Sequence, residues 1–204
     1  MTKAFTGILE FAWTYRLYQW LAGSHNYYRL FADRYICYKP GQKILDLGCG
    51  PADILRFLPA DADYTGIDLN PDYIRKAKRS NPGKTFICGD IAKPDFHIED
   101  ESFHTIFMIG VQHHLPDEAI EKMLDFAYRK LKPGGKLLSL DPAYSGQQGR
   151  LELWFMKNDR GKYIRKPEEY KSLTGRFFKD NSIDIFHGVM HIPFTFNIVK
   201  GEKI

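Results

Sequence analysis

Eleven residues, Lys43 to Asp53 (KILDLGCGPAD), constrain this chain more than any other stretch. Three apolar residues, Ile44, Leu45 and Leu47, surround an acid, Asp46, and the run closes on Gly48-Cys49-Gly50. A short apolar run that stops at glycines reads as a buried parallel strand with an abrupt end. Glycine serves such a turn because the backbone angles are unusual, and because a ligand can then approach the main chain with no Cβ between. Asp46 falls at the strand's carboxyl end, where open α/β sheets place their ligands. An acid beside a glycine turn suits a ligand with a cationic group.

The spacing argues against a dinucleotide fingerprint. In G-x-G-x-x-G the third glycine would fall at Asp53, whose carboxylate would repel a pyrophosphate at a helix start. The pattern instead resembles the first motif of the class I S-adenosylmethionine-dependent methyltransferases, acid-x-Gly-x-Gly-x-Gly. Asp46, Gly48 and Gly50 match it, and Ala52, small but not glycine, stands where the third glycine usually falls.

Downstream, strand and helix signals alternate. Residues 52–58 read as a short helix. Tyr64 to Asp68 reads as a strand ending in an acid 22 residues after Asp46, and Asn70-Pro71-Asp72 opens the next helix with a cap, a proline and an acid. Lys84 to Cys88 is a third strand, closing on Gly89-Asp90-Ile91. A polar loop, 92–102, leads to a fourth strand, Phe103 to Ile109, and then to Gly110-Val111-Gln112-His113-His114-Leu115. Pro116, Asp117 and Glu118 start a helix whose apolar face carries Ile120, Met123, Leu124, Ala127 and Leu131. Lys132-Pro133-Gly134-Gly135 ends it, and Lys136 to Leu140 is the fifth strand. Alternation through residue 141 predicts a doubly wound parallel sheet.

Taken in order, these motifs resemble a class I methyltransferase over nearly a hundred residues. His-His-Leu followed by Lys-Pro-Gly-Gly-x-Leu looks most like the branch acting on small molecules (methyltransferase type 11/12-like). The implied fold is α/β: a Rossmann-like, doubly wound, mostly parallel seven-stranded sheet, with one antiparallel strand near the C-terminus and an N-terminal helical lid. The implied cofactor is S-adenosyl-L-methionine. On that resemblance Asp46, Gly48, Cys49 and Gly50 border the donor at the first turn, and Asp68 and Leu69 lie beside it at the second strand. A carboxylate at the tip of that strand is the right group to accept both ribose hydroxyls of a nucleoside. The rival reading of Asp68 as a helix cap is weakened by Asn70, which takes that position. Asp90 would accept from the adenine amine while Ile91 packs on the ring, though Asp90 also suits a turn. Gly110 would offer its backbone.

The acceptor side is less specified. A histidine has the pKa for a general base if the acceptor is a hydroxyl, and of the pair after the fourth strand His114 is the candidate. The alternative is that both histidines shape the loop. Asp141-Pro142-Ala143-Tyr144 is similar to the Asp-Pro-Pro-Tyr element of enzymes that methylate amino groups of nucleic-acid bases, but it follows the fifth strand rather than the fourth and lacks the second proline. Asp141 or Tyr144 can instead face a small acceptor. Arg160 and Arg165 are candidates for clamping an anionic acceptor, against the plainer reading of surface arginines.

Ahead of the sheet, apolar residues from Phe5 to Leu21 and from Tyr27 to Ile36 recur at helical spacing, and Pro40-Gly41 closes this section. Packing explains the aromatic stripe; the resemblance adds Tyr15, Tyr18, Tyr27 and Tyr28 as pocket-lining candidates. Past residue 144 we expect an irregular insertion to about residue 165, a helix from Pro167 to Phe177, and strands at Ile183–Val189 and Phe194–Val199. The 204 residues read as one domain: a cap (1–40), a cofactor-binding half (41–141) and an acceptor side with the last strands (142–204).

Net charge is a mild +4 with basic residues spread along the chain, which suits solvated faces better than a nucleic-acid footprint. Cys37, Cys49 and Cys88 form no C-x-x-C pair and no metal spacing, which fits free thiols in a reducing cytoplasm. No run approaches membrane-spanning length. The expected partner is a small-molecule substrate, with no nucleic acid, membrane or metal. Two other classes stay open: a same-fold enzyme acting on a nucleic-acid base or a protein, and a non-catalytic module that binds the cofactor to regulate a partner. A nicotinamide oxidoreductase is disfavoured by Asp53.

Overall fold

The structure, a computed structural model, describes residues 23–93 and 96–204. The helix expected over 4–21, with Tyr15 and Tyr18, lies outside the described residues. Helix α1 (Ser24–Phe31) runs into a wide π turn, Ala32–Ile36, which ends at Cys37 in the left-handed region. The sheet then begins. Its strands are β1 (Lys43–Leu47), β2 (Asp63–Asp68), β3 (Thr85–Cys88), β4 (Phe103–Ile109), β5 (Leu131–Pro142), β6 (Asp180–His187) and β7 (Thr195–Glu202). Their spatial order is 3-2-1-4-5-7-6. Neighbours from β3 to β5 are parallel, and β7 is antiparallel to both β5 and β6. The expected seven-stranded architecture with one antiparallel strand is therefore present.

Helices α2 (Pro71–Ser80), α3 (Asp117–Lys130), α4 (Arg150–Lys157) and α5 (Pro167–Gly175) complete the order. Strand side chains alternate between two cores. Phe107 of β4 points into one, with Phe31 and Ile36 before the sheet, Ile74 and Ala77 of α2, and Met156 of α4. Ile106 and Met108 point into the other, against Ile120, Met123, Leu124 and Ala127 of α3 and Leu173 of α5. Both cores lie between the sheet and its helices, leaving the strand ends for loops.

Three expectations are corrected. The segment after the first turn is a 3-10 turn, Asp53–Phe57, entered from Ala52 at φ 60° rather than a helix from Ala52. Strand β5 starts at Leu131, five residues before the expected start, because Leu131 already pairs with Phe103 and a register shift absorbs Lys132 to Gly135. The insertion contains a real helix, α4, held by buried Met156 and by Glu152, which accepts the Thr195 hydroxyl.

Candidate functional site

At the carboxyl end of β1 the chain reverses over β2. The N–H groups of Gly48 and Cys49 both donate to the Ile67 carbonyl, at 2.8 and 2.9 Å. Gly48 is glycine for two reasons: its φ is +77°, and a Cβ would lie 2.5 Å from Val111 of the turn after β4. The first and fourth strand ends thus touch there. Gly50, also at positive φ, is different: a Cβ on it would meet nothing within 4 Å. The space above its backbone is open.

Asp68, half-buried at the tip of β2, binds this turn to its own strand end. Its Oδ2 accepts the Gly50 N–H at 2.8 Å and its Oδ1 accepts the Asn70 N–H at 2.8 Å. Each oxygen keeps a further lone pair for an incoming donor. Asn70 caps α2, its side-chain oxygen accepting from the N–H groups of Asp72 and Tyr73, so Asp68 is not consumed as the cap. Next to it Leu69 is 68% exposed, an apolar side chain with little packed on it. Asp90 accepts the Ala92 N–H at 2.9 Å and holds the turn after β3, with half-buried Ile91 beside it.

Asp46 has a different environment from the one its motif position predicts. It is 2% exposed and takes the Tyr64 phenol hydroxyl on Oδ2 at 2.7 Å. Burial, opposed by the Tyr64 hydrogen bond and reinforced by the Asp68 charge, lifts its pKa to about 7. Asp46 is therefore a buried neighbour of Asp68, not an exposed one. Cys49 is buried between the same acids and its thiol is pushed well above the ordinary range, first by burial and then by those charges. It packs against Gly66, where a Cβ would stand 2.8 Å from the sulfur.

Beyond β4 and β5 a second polar cluster forms. Gly110, at φ +67°, ties its N–H to the Leu140 carbonyl at 2.7 Å. Gln112 to His114 form a single 3-10 turn. The His113 ring donates from Nδ1 to Asp141 Oδ1 at 2.8 Å, and its Nε2 lies 3.4 Å from Asp159. The same Asp141 oxygen takes the His113 N–H at 3.1 Å. Its Oδ2 takes the Ser139 hydroxyl, which in turn accepts from Gln112 Nε2; both bonds are 2.8 Å. Burial works against charge on His113, but hydrogen bonds to Asp141 and Asp159 prevail and raise its pKa to about 9. It is a held imidazolium at neutral pH. Asp159 is kept below its usual range despite burial, by His113 and the Gly161 N–H.

His114 is exposed, with its ring centroid 4.0 Å from that of His113. Partial desolvation, and then the charge on His113, lower its pKa, so it is neutral at pH 7. Asp141, by contrast, is 1% exposed with both oxygens engaged, which corrects the expectation that it faces an acceptor. Tyr144 is half-buried against the core that contains Phe107.

Arg165 is corrected too. It is buried, and its guanidinium donates to the Gln112, Leu115 and Tyr163 carbonyls and to Asp117 from both Nε and Nη2. All its donors are spent inside the fold, and none is left for an anionic acceptor. With the Tyr163 N–H on the His113 carbonyl at 2.9 Å, it straps segment 159–165 onto the turn after β4. Gly161 allows that approach: a Cβ there would overlap the His113 ring at 1.9 Å. Arg160 is exposed. The rings of Tyr27 and Tyr28 are in contact, tilted by 37° with centroids 4.5 Å apart, and Tyr27 is also 5.5 Å from Phe196. Tyr64, Gln112 and Ser139 carry much of this geometry without any local pattern to announce them; Asp159, which shares in it, stands two residues before a glycine and so has a turn signal.

Residues 44–135 match the family model of a methyltransferase domain. The chain is 32% identical over 120 residues to the phthiotriol/phenolphthiotriol dimycocerosates methyltransferase of Mycobacterium leprae, covering 56% of this chain and 43% of that protein. It thus spans less than half the length of that relative. Among solved structures, phosphoethanolamine N-methyltransferase 2 of Haemonchus contortus, in complex with phosphomonomethylethanolamine and S-adenosylhomocysteine, superposes with a TM-score of 0.71 at 18% identity, over 91% of this chain and 56% of that one. An S-adenosylmethionine-dependent methyltransferase of Archaeoglobus fulgidus gives 0.71 at 18% identity over 93% and 99%. The sequence match covers residues 44–135, a little under half of the chain, and the superpositions supply the fold: this stretch is similar to a methyltransferase domain, within a chain that has the fold of S-adenosylmethionine-dependent methyltransferases.

Proposed function

We propose that this protein transfers a methyl group from S-adenosylmethionine to a small-molecule acceptor by in-line displacement. The observation that carries the reading is the bond between Asp68 Oδ2 and the Gly50 N–H, which joins the tip of β2 to the glycine turn of β1. Around that bond lie an open backbone surface at Gly50, a carboxylate with lone pairs to spare and an exposed apolar side chain, Leu69. That set fits a nucleoside: hydroxyls to Asp68, a ring beside Leu69 and Ile91, its amine toward Asp90. The Asp68 carboxylate makes the region electronegative, with a smaller share from Asp46, which burial holds partly protonated at neutral pH; this favours a cation over a pyrophosphate.

When bound, the cofactor supplies a methyl group on a sulfonium, an already activated leaving group. The chain's own residues then have two tasks. One is to hold the acceptor atom at roughly 3–3.5 Å from that carbon and in line with the breaking bond. The strapped turn, Gly110 to His114, is the rigid element available for it. The other is to remove a proton if the acceptor is a hydroxyl, and His114 suits that role because it is exposed and neutral at Nδ1 or Nε2. His113 does not, since its protons are held between two carboxylates. A positioned base contributes about 10²–10⁴-fold.

Methyl-labelled cofactor and small-molecule extracts test the reaction: label in a low-molecular-weight product is expected, and label only in protein or nucleic acid would overturn the small-molecule reading. Replacing His114 by Ala should slow transfer to a hydroxyl acceptor by about 10²-fold or more with cofactor affinity nearly intact. Unchanged turnover would remove His114 from the reaction.

A further inference from the structure

Helix α4 faces two ways. Met156 is buried, and Glu152 turns inward to the Thr195 hydroxyl. Leu151 and Trp154, neighbours on one face three residues apart, are 61% and 55% exposed. Tyr163, on the strap that follows, is 41% exposed. Scattered apolar residues on a surface need no explanation, but a Trp and a Leu side by side on one short helix form a patch.

The charges around it are sorted. Segment 149–166 holds two acids and six basic residues. Both acids are turned inward, Glu152 to Thr195 and Asp159 to His113. Of the six basic residues in this segment, Arg165 is the one that is buried. Arg150, Lys157, Arg160, Lys162 and Lys166 are all exposed. Every exposed charge from Arg150 to Lys166 is therefore positive, in a chain whose net charge is only +4, and the next exposed acids, Glu168 and Glu169, begin α5.

We propose that α4 and the strap behind it dock the protein on an anionic lipid surface, with Leu151 and Trp154 entering the headgroup boundary and the exposed lysines and arginines meeting the phosphates. Trp with a basic rim is the composition that settles at such a boundary: the indole is amphipathic, and the cations find complementary charge. A purely apolar protein groove would gain nothing from five cations, and a nucleic acid would gain little from Leu151. The segment joins β5 to α5 and straps the turn beside His114, so docking would turn the acceptor side of the site toward the lipid. This deepens the proposed function by pointing to acceptors held in or at a lipid layer. Vesicle binding is measured without cofactor or turnover, so it can fail while methyl transfer stands.

The test is co-sedimentation of the full chain with phosphatidylcholine vesicles, with and without phosphatidylglycerol. Binding should require the anionic lipid and weaken steeply with salt, since the Debye length is about 8 Å at physiological ionic strength. Leu151→Ser/Trp154→Ser should lose at least tenfold in binding with an unchanged thermal midpoint. Lys157→Glu/Lys162→Glu should lose more than the roughly fivefold that each neutralised cation is expected to cost near such a surface. No sedimentation with anionic vesicles overturns the proposal. So does a Leu151→Ser/Trp154→Ser variant that unfolds earlier or sheds a dimer, because the face would then be covered by residues 1–22 or by a second copy.

Discussion

The tips of β1 to β3 and the tips of β4 and β5 are two halves of one carboxyl edge, built in different ways. The first half is held mainly by backbone: glycine N–H groups donate to Ile67 and to Asp68, and little covers Gly50 or Leu69. The second is held by side chains from far apart in the chain: Asp141 lies 28 residues from His113, and Arg165 lies 48 from Asp117. Asp46 and Asp141 show the contrast in reverse. Both are buried acids, but Asp46 has one phenol for a partner and is driven toward the neutral form, while Asp141 is matched by an imidazolium, a hydroxyl and an N–H. The lesson is that the half with open backbone stands beside a half whose polar side chains are already matched to one another inside the fold.

Breaking the second half should show first in stability. Arg165→Ala removes the donors of three backbone carbonyls, each worth about 1 kcal/mol when left unmet. The Asp117 partner is largely exposed and adds little. A loss of about 3 kcal/mol in denaturant unfolding is expected, and Arg165→Lys should recover only part, because one ammonium cannot span the same fork. A loss below about 1 kcal/mol would mean that the strap does not organise this half.

The two halves should also titrate in adjacent windows. Asp46 has a folded pKa of about 7 against 3.8 unfolded, so in that interval the native state holds the extra proton and stability falls as pH rises. His113 is raised to about 9 from 6.5, so its contribution is complete below 6.5 and lost as pH climbs through 9. Asp46→Asn should flatten the first descent and His113→Gln the second, in stability curves from pH 4 to 9.5. If either variant flattens both, the halves are not separate.

Ala52 gives the smallest effect. It sits at φ 60° where the motif prefers glycine. Relief of the left-handed strain, roughly 1 kcal/mol, is offset in part by the greater freedom of an unfolded glycine. Ala52→Gly should raise stability by about 0.5 kcal/mol without changing the pH profile; a loss would show that the methyl group packs more than it strains.

These contrasts explain what was readable in the chain. The first half is written locally: acid, glycines and a capped helix follow within a few residues, and β4 and α3 begin where their apolar spacing and the Pro116-Asp117 signal put them. The second half depends on partners that spacing cannot pair. Asp141 was one of two candidates to face the acceptor, and Arg165 a candidate clamp set against the plainer reading of a surface arginine, yet both side chains are buried and engaged within the fold. The early start of β5 has the same origin: Gly134 and Gly135 are tied to Lys203 in the C-terminal tail, at 2.7 and 2.9 Å. Asp46 was recognised as a motif residue, but only the approach of Tyr64 reveals its burial.

Calorimetry with S-adenosylmethionine and with NAD, on the wild-type chain and on Asp68→Ala, tests the donor half most directly. Micromolar-range binding of the sulfonium compound alone is expected, weakened about tenfold or more by the substitution, as when a charged hydrogen-bond partner is lost. Binding of NAD without S-adenosylmethionine, or an Asp68→Ala protein that binds the donor as tightly as wild type, would contradict it.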